Sequence, residues 1–348
     1  MPLRTMVLGL GRAGAGLHLP VLAKARDLRP RLFAPEPVIA FDRDPAERAR
    51  AAGDTGLRVV DSLARARESL DPEHTVVHIC TPPLARAEVV AELLRLGFRR
   101  LLLEKPLAAG PRDLARLVEL VGRPGVQATV VAPWLASTLT DRLIALVEER
   151  PGLGALRQIS VVQDKPRFQR TLATSGHPTA FDIEIPHALG VLLRLAGDAE
   201  VVGASCTDLD VDGRRLPRLG GAEVRLAHRD GVLADIRSDL TSPVRERRIT
   251  LGFDGGTAVG HYPADAGDHY AQLRLTTPEC PAGDREVFRD DALTAFMLRA
   301  YADFAGDDGP CPTDFARQAR VVGLLTDAKN LAAPPDASGP RRELAGAR

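Results

Sequence analysis

Met6-Val7-Leu8-Gly9-Leu10-Gly11-Arg12-Ala13-Gly14 is a short apolar run followed by three glycines in G-x-G-x-x-G spacing. If this is a strand-to-helix turn that holds a dinucleotide, each glycine has its own task. Gly9 makes the tight turn, Gly11 lets a diphosphate approach the backbone, and Gly14 lets the helix pack close to the strand. The residues from Ala13 towards Ala25 read as the helix, whose free N–H groups and positive dipole end would face the phosphates. Gly9, Leu10, Gly11, Arg12, Ala13 and Gly14 are therefore candidate cofactor-binding residues. Glycine-rich turns also occur without a ligand, so the context has to decide.

Beyond an Arg/Pro-rich connection from Arg26 to Pro37, Val38-Ile39-Ala40-Phe41 reads as a second strand ending at Asp42. A dinucleotide fold places an acid there for the ribose hydroxyls. Asp42 would repel a 2′-phosphate, which favours NAD(H), while the adjacent Arg43 leaves NADP(H) open. The alternative for Asp42 is an N-cap on a helix over 45–52, and the two roles are compatible. Thr75-Val76-Val77-His78-Ile79-Cys80 is a β-branched run stopped by Thr81-Pro82-Pro83, the pattern of a fully buried parallel strand. Thr81 and Pro82 then lie at the carboxyl edge of the sheet, where open α/β sheets bind ligands. His78, in mid-strand, reads as structural. An amphipathic helix over 84–96 and a strand Arg100–Leu103 lead to Glu104-Lys105-Pro106. A helix over 111–121 and a strand over 127–131 follow. This alternation predicts a doubly wound parallel sheet of about six strands.

The second half changes period. After a helix within 133–149, strands are expected over 156–163, 201–209, 222–227, 232–239, 247–253, 256–261 and 270–275. Several alternate apolar with polar residues, as a half-exposed antiparallel sheet does. Arg229-Asp230-Gly231 and Asp254-Gly255-Gly256 read as hairpin turns. Helices are expected over 187–195, 291–304 and 315–331. The expected organisation is a dinucleotide-binding domain over 1–132, a substrate and oligomerisation domain over 133–331, and a mobile tail over 332–348.

Composition narrows the function classes. The 348 residues suit two domains, and 46 basic side chains balance 46 acidic ones. That balance gives no reason to expect nucleic-acid or membrane-surface binding. Cys80, Cys206, Cys280 and Cys311 form no C-x-x-C metal or redox motif. The chain shows no signal-peptide pattern and no apolar stretch long enough to span a membrane, so a cytoplasmic protein is expected.

A dinucleotide half followed by one large antiparallel sheet resembles the glucose–fructose oxidoreductase / inositol dehydrogenase (Gfo/Idh/MocA) family. The matching residues are Gly9-Leu10-Gly11-Arg12-Ala13-Gly14 with His18 shortly after, Ile79-Cys80-Thr81-Pro82-Pro83, Glu104-Lys105-Pro106, and the helix led by His187-Ala188-Leu189-Gly190. The resemblance implies a Rossmann-type domain plus an α+β domain with an open sheet. It also implies hydride transfer between a nicotinamide and a secondary alcohol or ketone carbon, usually on a sugar or cyclitol. Chemically, His187 suits a general base near neutral pH. Lys105, a donor only, suits stabilising charge on the substrate oxygen. Glu104 would orient Lys105 or contact the nicotinamide ribose. The resemblance further implies that the Lys105–Pro106 bond is often cis.

Two departures stand out. The family pairs His with an Asp four residues earlier; here that residue is Ile183, and the available acids are Glu184 and Asp182. Helical spacing favours Glu184, with Asp182 as second candidate. Where the family often has Asn or Arg, this chain has Trp134, either a pocket wall or a core aromatic. Lys165, Arg167 and Arg170 read as a solvated basic loop, with an anion-binding role as the alternative. Rival functions are a catalytically silent dinucleotide-binding regulator and an NADPH-dependent reductase of an imine or unsaturated ring. The open sheet predicts a homodimer or homotetramer.

Overall fold

The computed structural model describes residues 1–54, 56–149, 152–173, 177–265, 267–306 and 315–333. Six parallel strands form the first sheet: β1 (Arg4–Leu8), β2 (Val38–Phe41), β3 (Leu57–Val59), β4 (Thr75–Ile79), β5 (Arg100–Leu103) and β6 (Gln127–Val130). Their order is β3-β2-β1-β4-β5-β6. Helices α1 (Leu19–Leu28), α2 (Pro45–Ala51), α3 (Leu63–Ser69), α4 (Pro83–Arg95) and α5 (Pro111–Val121) lie between them. All five residues of β4 are buried, because helices cover a central parallel strand on both faces. The order reverses between β1 and β4, so their carboxyl ends border a crevice.

The helix expected from Ala13 begins differently. Gly14–His18 is a wide turn in which the His18 N–H reaches the Ala13 carbonyl, and α1 follows and runs on to Leu28. Pro20 explains the change: it has no N–H to give, and a widened turn accommodates its ring.

The second sheet has eight strands: β7 (Leu156–Asp164), β8 (Ala199–Val211), β9 (Arg214–His228), β10 (Leu233–Asp239), β11 (Glu246–Phe253), β12 (Gly256–His261), β13 (Tyr270–Thr276) and β14 (Asp284–Arg289). Their order is β14-β13-β12-β11-β7-β10-β9-β8, with only β7 and β10 parallel. Helices α6 (Thr138–Glu149), α7 (Phe168–Ala173), α8 (Ile185–Ala196), α9 (Ala292–Ala305) and α10 (Phe315–Leu331) complete the described chain. Ile159, Val161, Ile249, Leu251 and Leu273 pack inward against Leu139, Leu189, Leu192 and Leu325 of the helices. Ser160, Asp235, Arg237 and Thr250 alternate with the inward residues, so the other face carries polar side chains.

Strand β14 and helix α7 are additions to the sequence reading. Strands β8 and β9 are longer than expected and meet at Asp212-Gly213, both with positive φ (49° and 70°). Helix α9 turns back to the first sheet. Its Phe296, Met297, Ala300 and Tyr301 share a core with Val7, Ala40, Val76 and Leu102. No described helix is long and apolar enough to cross a membrane. Cys311 and most of the expected tail, from residue 334, lie outside the described residues.

Candidate functional site

The glycine turn has the geometry its spacing implies. Gly9 has φ +89°, a conformation L side chains rarely adopt. A methyl added at Gly14 would stand 1.9 Å from the Gly9 carbonyl oxygen, so helix and strand touch there. A methyl at Gly11 meets nothing within 4 Å, which leaves open space over the backbone for a diphosphate. These features fit a dinucleotide. At the end of β2, the Asp42 carboxylate accepts the Leu10 N–H (2.6 Å) and the Asp44 N–H (2.9 Å), tying the acid to the turn. The N-cap considered for Asp42 belongs to Asp44, whose side chain accepts the Ala46 N–H. Arg43 is exposed beside it.

The Glu104-Lys105-Pro106 turn follows β5, and its Lys105–Pro106 peptide is cis. The Glu104 carboxylate accepts from His18 Nε2 (2.8 Å) and from the Lys105 N–H (3.0 Å). Burial opposes its charge, but His18, Lys105 and Arg86 outweigh that and hold its pKa below the usual carboxylate range. A buried chain continues inward: His18 Nδ1 to His78 Nδ1 (2.8 Å), His78 Nε2 to the Tyr301 hydroxyl (2.9 Å), and Tyr301 to Thr5 Oγ1 (2.7 Å). A carboxylate only accepts, so His18 Nε2 carries a proton. With His18 neutral, His78 Nδ1 donates to it, Tyr301 donates to His78, and Thr5 donates to Tyr301. Tyr301→Phe would leave His78 Nε2 buried without a donor, at a cost of about 1–3 kcal/mol. Chemical denaturation checks this; an unchanged midpoint would remove the chain's structural weight.

Arg86 of α4 is a functional-region residue the sequence reading missed. It is 1% exposed and donates to the carbonyls of Pro106, Leu107 and Thr81. It thus ties the Thr81-Pro82 turn to the Glu104-Lys105-Pro106 turn. The available signal was an arginine on the apolar face of an amphipathic helix, in line with Val90 and Leu93.

From the other half, Ile183 presents its carbonyl to Lys105 Nζ (3.0 Å). Helix α8 then carries His187, and Trp134 lies between two rings. Its indole stacks on Tyr262 at 4.0 Å and on His187 at 5.8 Å between centroids. Trp134 thus belongs to the core and also lines the cavity. Glu184 is ion-paired with Lys165, and no described residue hydrogen-bonds the His187 ring. Asp182 closes a capping box with Thr179 and pairs with Lys329, and it does not line the cavity.

A cavity of about 1170 Å³ joins these groups. Arg12, Ala13, Glu104, Lys105, Trp134, Glu184 and His187 all line it. Leu10 instead lines a smaller cavity of about 390 Å³ between α1 and α2. Gly9, Gly11, Gly14, Asp42, Arg43, Thr81 and Pro82 line neither, although Gly9, Gly11, Gly14 and Asp42 shape the turn. Burial and the Lys105 ammonium push the His187 pKa down to about 3. Burial lowers Lys105 as well, against the pull of Glu184 and Glu104. Glu184 falls to about 2 because Lys165, His187 and Lys105 overcome its burial.

These shifts make the fold acid-sensitive. His78 is fully buried, and burial holds its pKa well below the ordinary 6.5. Unfolded, it gains a proton below that pH; folded, it does not. Stability should therefore fall from about pH 6.5 downward, by about 1.4 kcal/mol per pH unit for each such histidine. Glu104 and Glu184, lowered from 4.5, add losses below that value. Urea midpoints should drop between pH 7 and 5; a flat profile would contradict this.

Residues 3–132 match the model of an oxidoreductase family with an NAD-binding Rossmann fold, GFO_IDH_MocA. No curated protein matches the chain by sequence. Among solved structures, a Desulfitobacterium hafniense protein described as a putative NADPH-dependent oxidoreductase superposes with TM-score 0.79 at 14% identity, covering 95% of this chain and 96% of that one. KijD10, a 3-ketoreductase from Actinomadura kijaniata bound to NADP and TDP-benzene, gives 0.75 at 18%, covering 95% and 98%. The WlbA dehydrogenase from Bordetella pertussis, bound to NADH and UDP-GlcNAcA, gives 0.74 at 20%, covering 95% and 97%. At these identities the structures establish the shared fold over nearly the whole chain. Over residues 3–132 the chain is thus similar to the NAD-binding Rossmann domain of the Gfo/Idh/MocA oxidoreductases.

Proposed function

We propose that this protein is an NAD(H)-dependent oxidoreductase acting on a secondary alcohol or ketone carbon of a sugar, aminosugar or cyclitol. The observation that carries the reading is one cavity wall shared by the glycine turn, Lys105 and His187. When bound, the nicotinamide supplies or takes up the hydride. Lys105 spends one donor on the Ile183 carbonyl, which aims its other two at the cavity. Burial weakens its hold on a proton, making it a better acid towards a ketone oxygen and a competent base once neutral. His187, pushed down to about 3, is neutral at every working pH and too weak a base to store the proton. We therefore assign Lys105 as proton donor and acceptor. His187 orients the substrate oxygen, with Trp134 fixing its ring and Glu184 supplying a nearby negative charge. Asp42 favours NAD(H) over NADP(H) by repelling a 2′-phosphate. The UDP-GlcNAcA bound by one structural neighbour supports a sugar-like substrate, and the nucleotide-linked TDP-benzene bound by a 3-ketoreductase neighbour is in keeping with it.

The test is nicotinamide absorbance with NAD and NADP across sugars, aminosugars, sugar nucleotides and cyclitols. Turnover on one class supports the reading. Tight NADH binding, seen by quenching of Trp134 fluorescence, with no turnover on any class would replace it with a dinucleotide-binding regulator. We also propose a cytoplasmic protein that assembles as a homodimer or homotetramer through the outer face of the eight-stranded sheet. Light scattering on eluting protein checks the assembly, and a strictly monomeric mass would refute it.

A further inference from the structure

Helix α10 bridges the two halves of the chain. Val322 and Ala319 pack into the core of the first sheet, while Val321, Leu324 and Leu325 pack with Phe181, Ile183 and Leu189. Its last turn therefore ends beside the turn that precedes α8. There Lys329 Nζ forms an ion pair with Asp182 Oδ1. Arg218 of β9 braces the helix end by donating to the Lys329 carbonyl (3.3 Å). Asp182 is 5% exposed, and its second carboxylate oxygen accepts the Thr179 N–H (3.3 Å) and hydroxyl (2.8 Å). The Thr179 carbonyl accepts the Asp182 N–H (3.1 Å), and the Ala180 carbonyl accepts the Ile183 N–H (3.2 Å). Residues 179–183 are thus one bonded unit. A carboxylate at this depth is costly without its cation, so Lys329 decides how the unit sits.

That unit presents one carbonyl to the site. In a continuing helix the Ile183 carbonyl would accept the His187 N–H. Here that N–H goes to the Glu184 carbonyl (3.1 Å), and Pro186 has none to give. The Ile183 carbonyl is left for Lys105 Nζ (3.0 Å). We propose that Lys329, acting through Asp182, is a positioning residue for Lys105: it fixes the carbonyl that aims the ammonium into the cavity. Neither Lys329 nor Asp182 lines that cavity. The role deepens the oxidoreductase reading and rests on it.

Lys105 faces Glu104 of its own turn, Glu184 and His187 of α8, Lys165 and Arg167 after β7, Arg170 of α7, and His177. All of these stay in place when Lys329 is replaced. A carbonyl that accepts from an ammonium favours its charged form, so a displaced Ile183 carbonyl lowers the Lys105 pKa. The bare field effect has the opposite sign: a lost cation and a freed Asp182 carboxylate both raise it.

Competitive labelling of the full chain with isotopic acetic anhydride across pH, read at Lys105 by peptide mass spectrometry, follows the neutral amine without a substrate. Wild type would be compared with Lys329→Met, Lys329→Arg and the double variant Lys329→Met, Asp182→Asn. The labelling midpoint should fall by about one pH unit in Lys329→Met and in the double variant, and stay near wild type in Lys329→Arg. On the substrate class that turns over, kcat should fall by about tenfold in Lys329→Met, with KM near wild type. The double variant leaves no unpaired carboxylate and carries the test if the single one does not fold. A midpoint that is unchanged or raised overturns the proposal, because loss of packing or of charge alone gives that result. Wild type without turnover on any class would remove the oxidoreductase reading alone, since the labelling midpoint still reports on the contact.

Discussion

Lys105→Ala is expected to cut turnover by about 10²- to 10⁴-fold, the usual range for losing a positioned proton-transfer group. NADH affinity should change little, because Arg12, Gly11 and Asp42 are untouched. The lysine is placed by two independent features. Its main-chain N–H is fixed by Glu104, and its Nζ by the Ile183 carbonyl at 3.0 Å. Alanine removes the proton carrier but leaves the turn, since Arg86 still holds Pro106 and Leu107. Lys105→Arg should not restore activity, because a guanidinium keeps its proton at any working pH. The pH profiles give the sign. Oxidation needs neutral Lys105 and should rise with pH through its lowered pKa; reduction needs the ammonium and should fall over the same range. Full turnover in Lys105→Ala, or wild-type pH limbs in that variant, would move the proton to another group.

How much of this was legible follows from where each contact lies in the chain. The glycine turn, Asp42 and the β4 run are local patterns, so spacing and β-branching reveal them. The Asp212-Gly213 hairpin was equally local: Asp-Gly with positive φ is a strong turn signal that lengthens β8 and β9. Strand β14, Asp-Arg-Glu-Val-Phe-Arg, shows little apolar patterning because it is an edge strand with mostly exposed side chains. Tyr301 could not be read at all. Its partner Thr5 is 296 residues away, and nothing in α9 says which core it closes. The acids around His187 were ambiguous for a different reason. Spacing put Glu184 and Asp182 near the histidine, but long-range cations decided their bonds: Lys165 holds Glu184, and Lys329 holds Asp182. Helical spacing describes neighbours on one element and is silent about a lysine from another.

The same one-carbon substitution at two glycines should give opposite signatures. Gly14→Ala forces a methyl to 1.9 Å from the Gly9 carbonyl oxygen, a backbone atom that cannot swing away. Helix α1 must then shift off β1, and Val7, whose side chain also lies 3.3 Å from that position, must move with it. Overpacking of this kind costs about 3 kcal/mol or more. At about 1.4 °C per kcal/mol for a chain this long, the thermal midpoint should fall by about 4 °C or more. Gly11→Ala meets nothing within 4 Å and has no positive φ, so its midpoint should stay near wild type. Its methyl instead occupies the space a diphosphate needs, and NADH affinity should fall by about tenfold or more, one lost close contact being worth about 1.4 kcal/mol. Thermal melts and NADH titrations on the two variants separate the roles. Gly14→Ala with a wild-type midpoint would mean that helix and strand are not in contact there. Gly11→Ala with wild-type affinity would place the diphosphate elsewhere than over this turn.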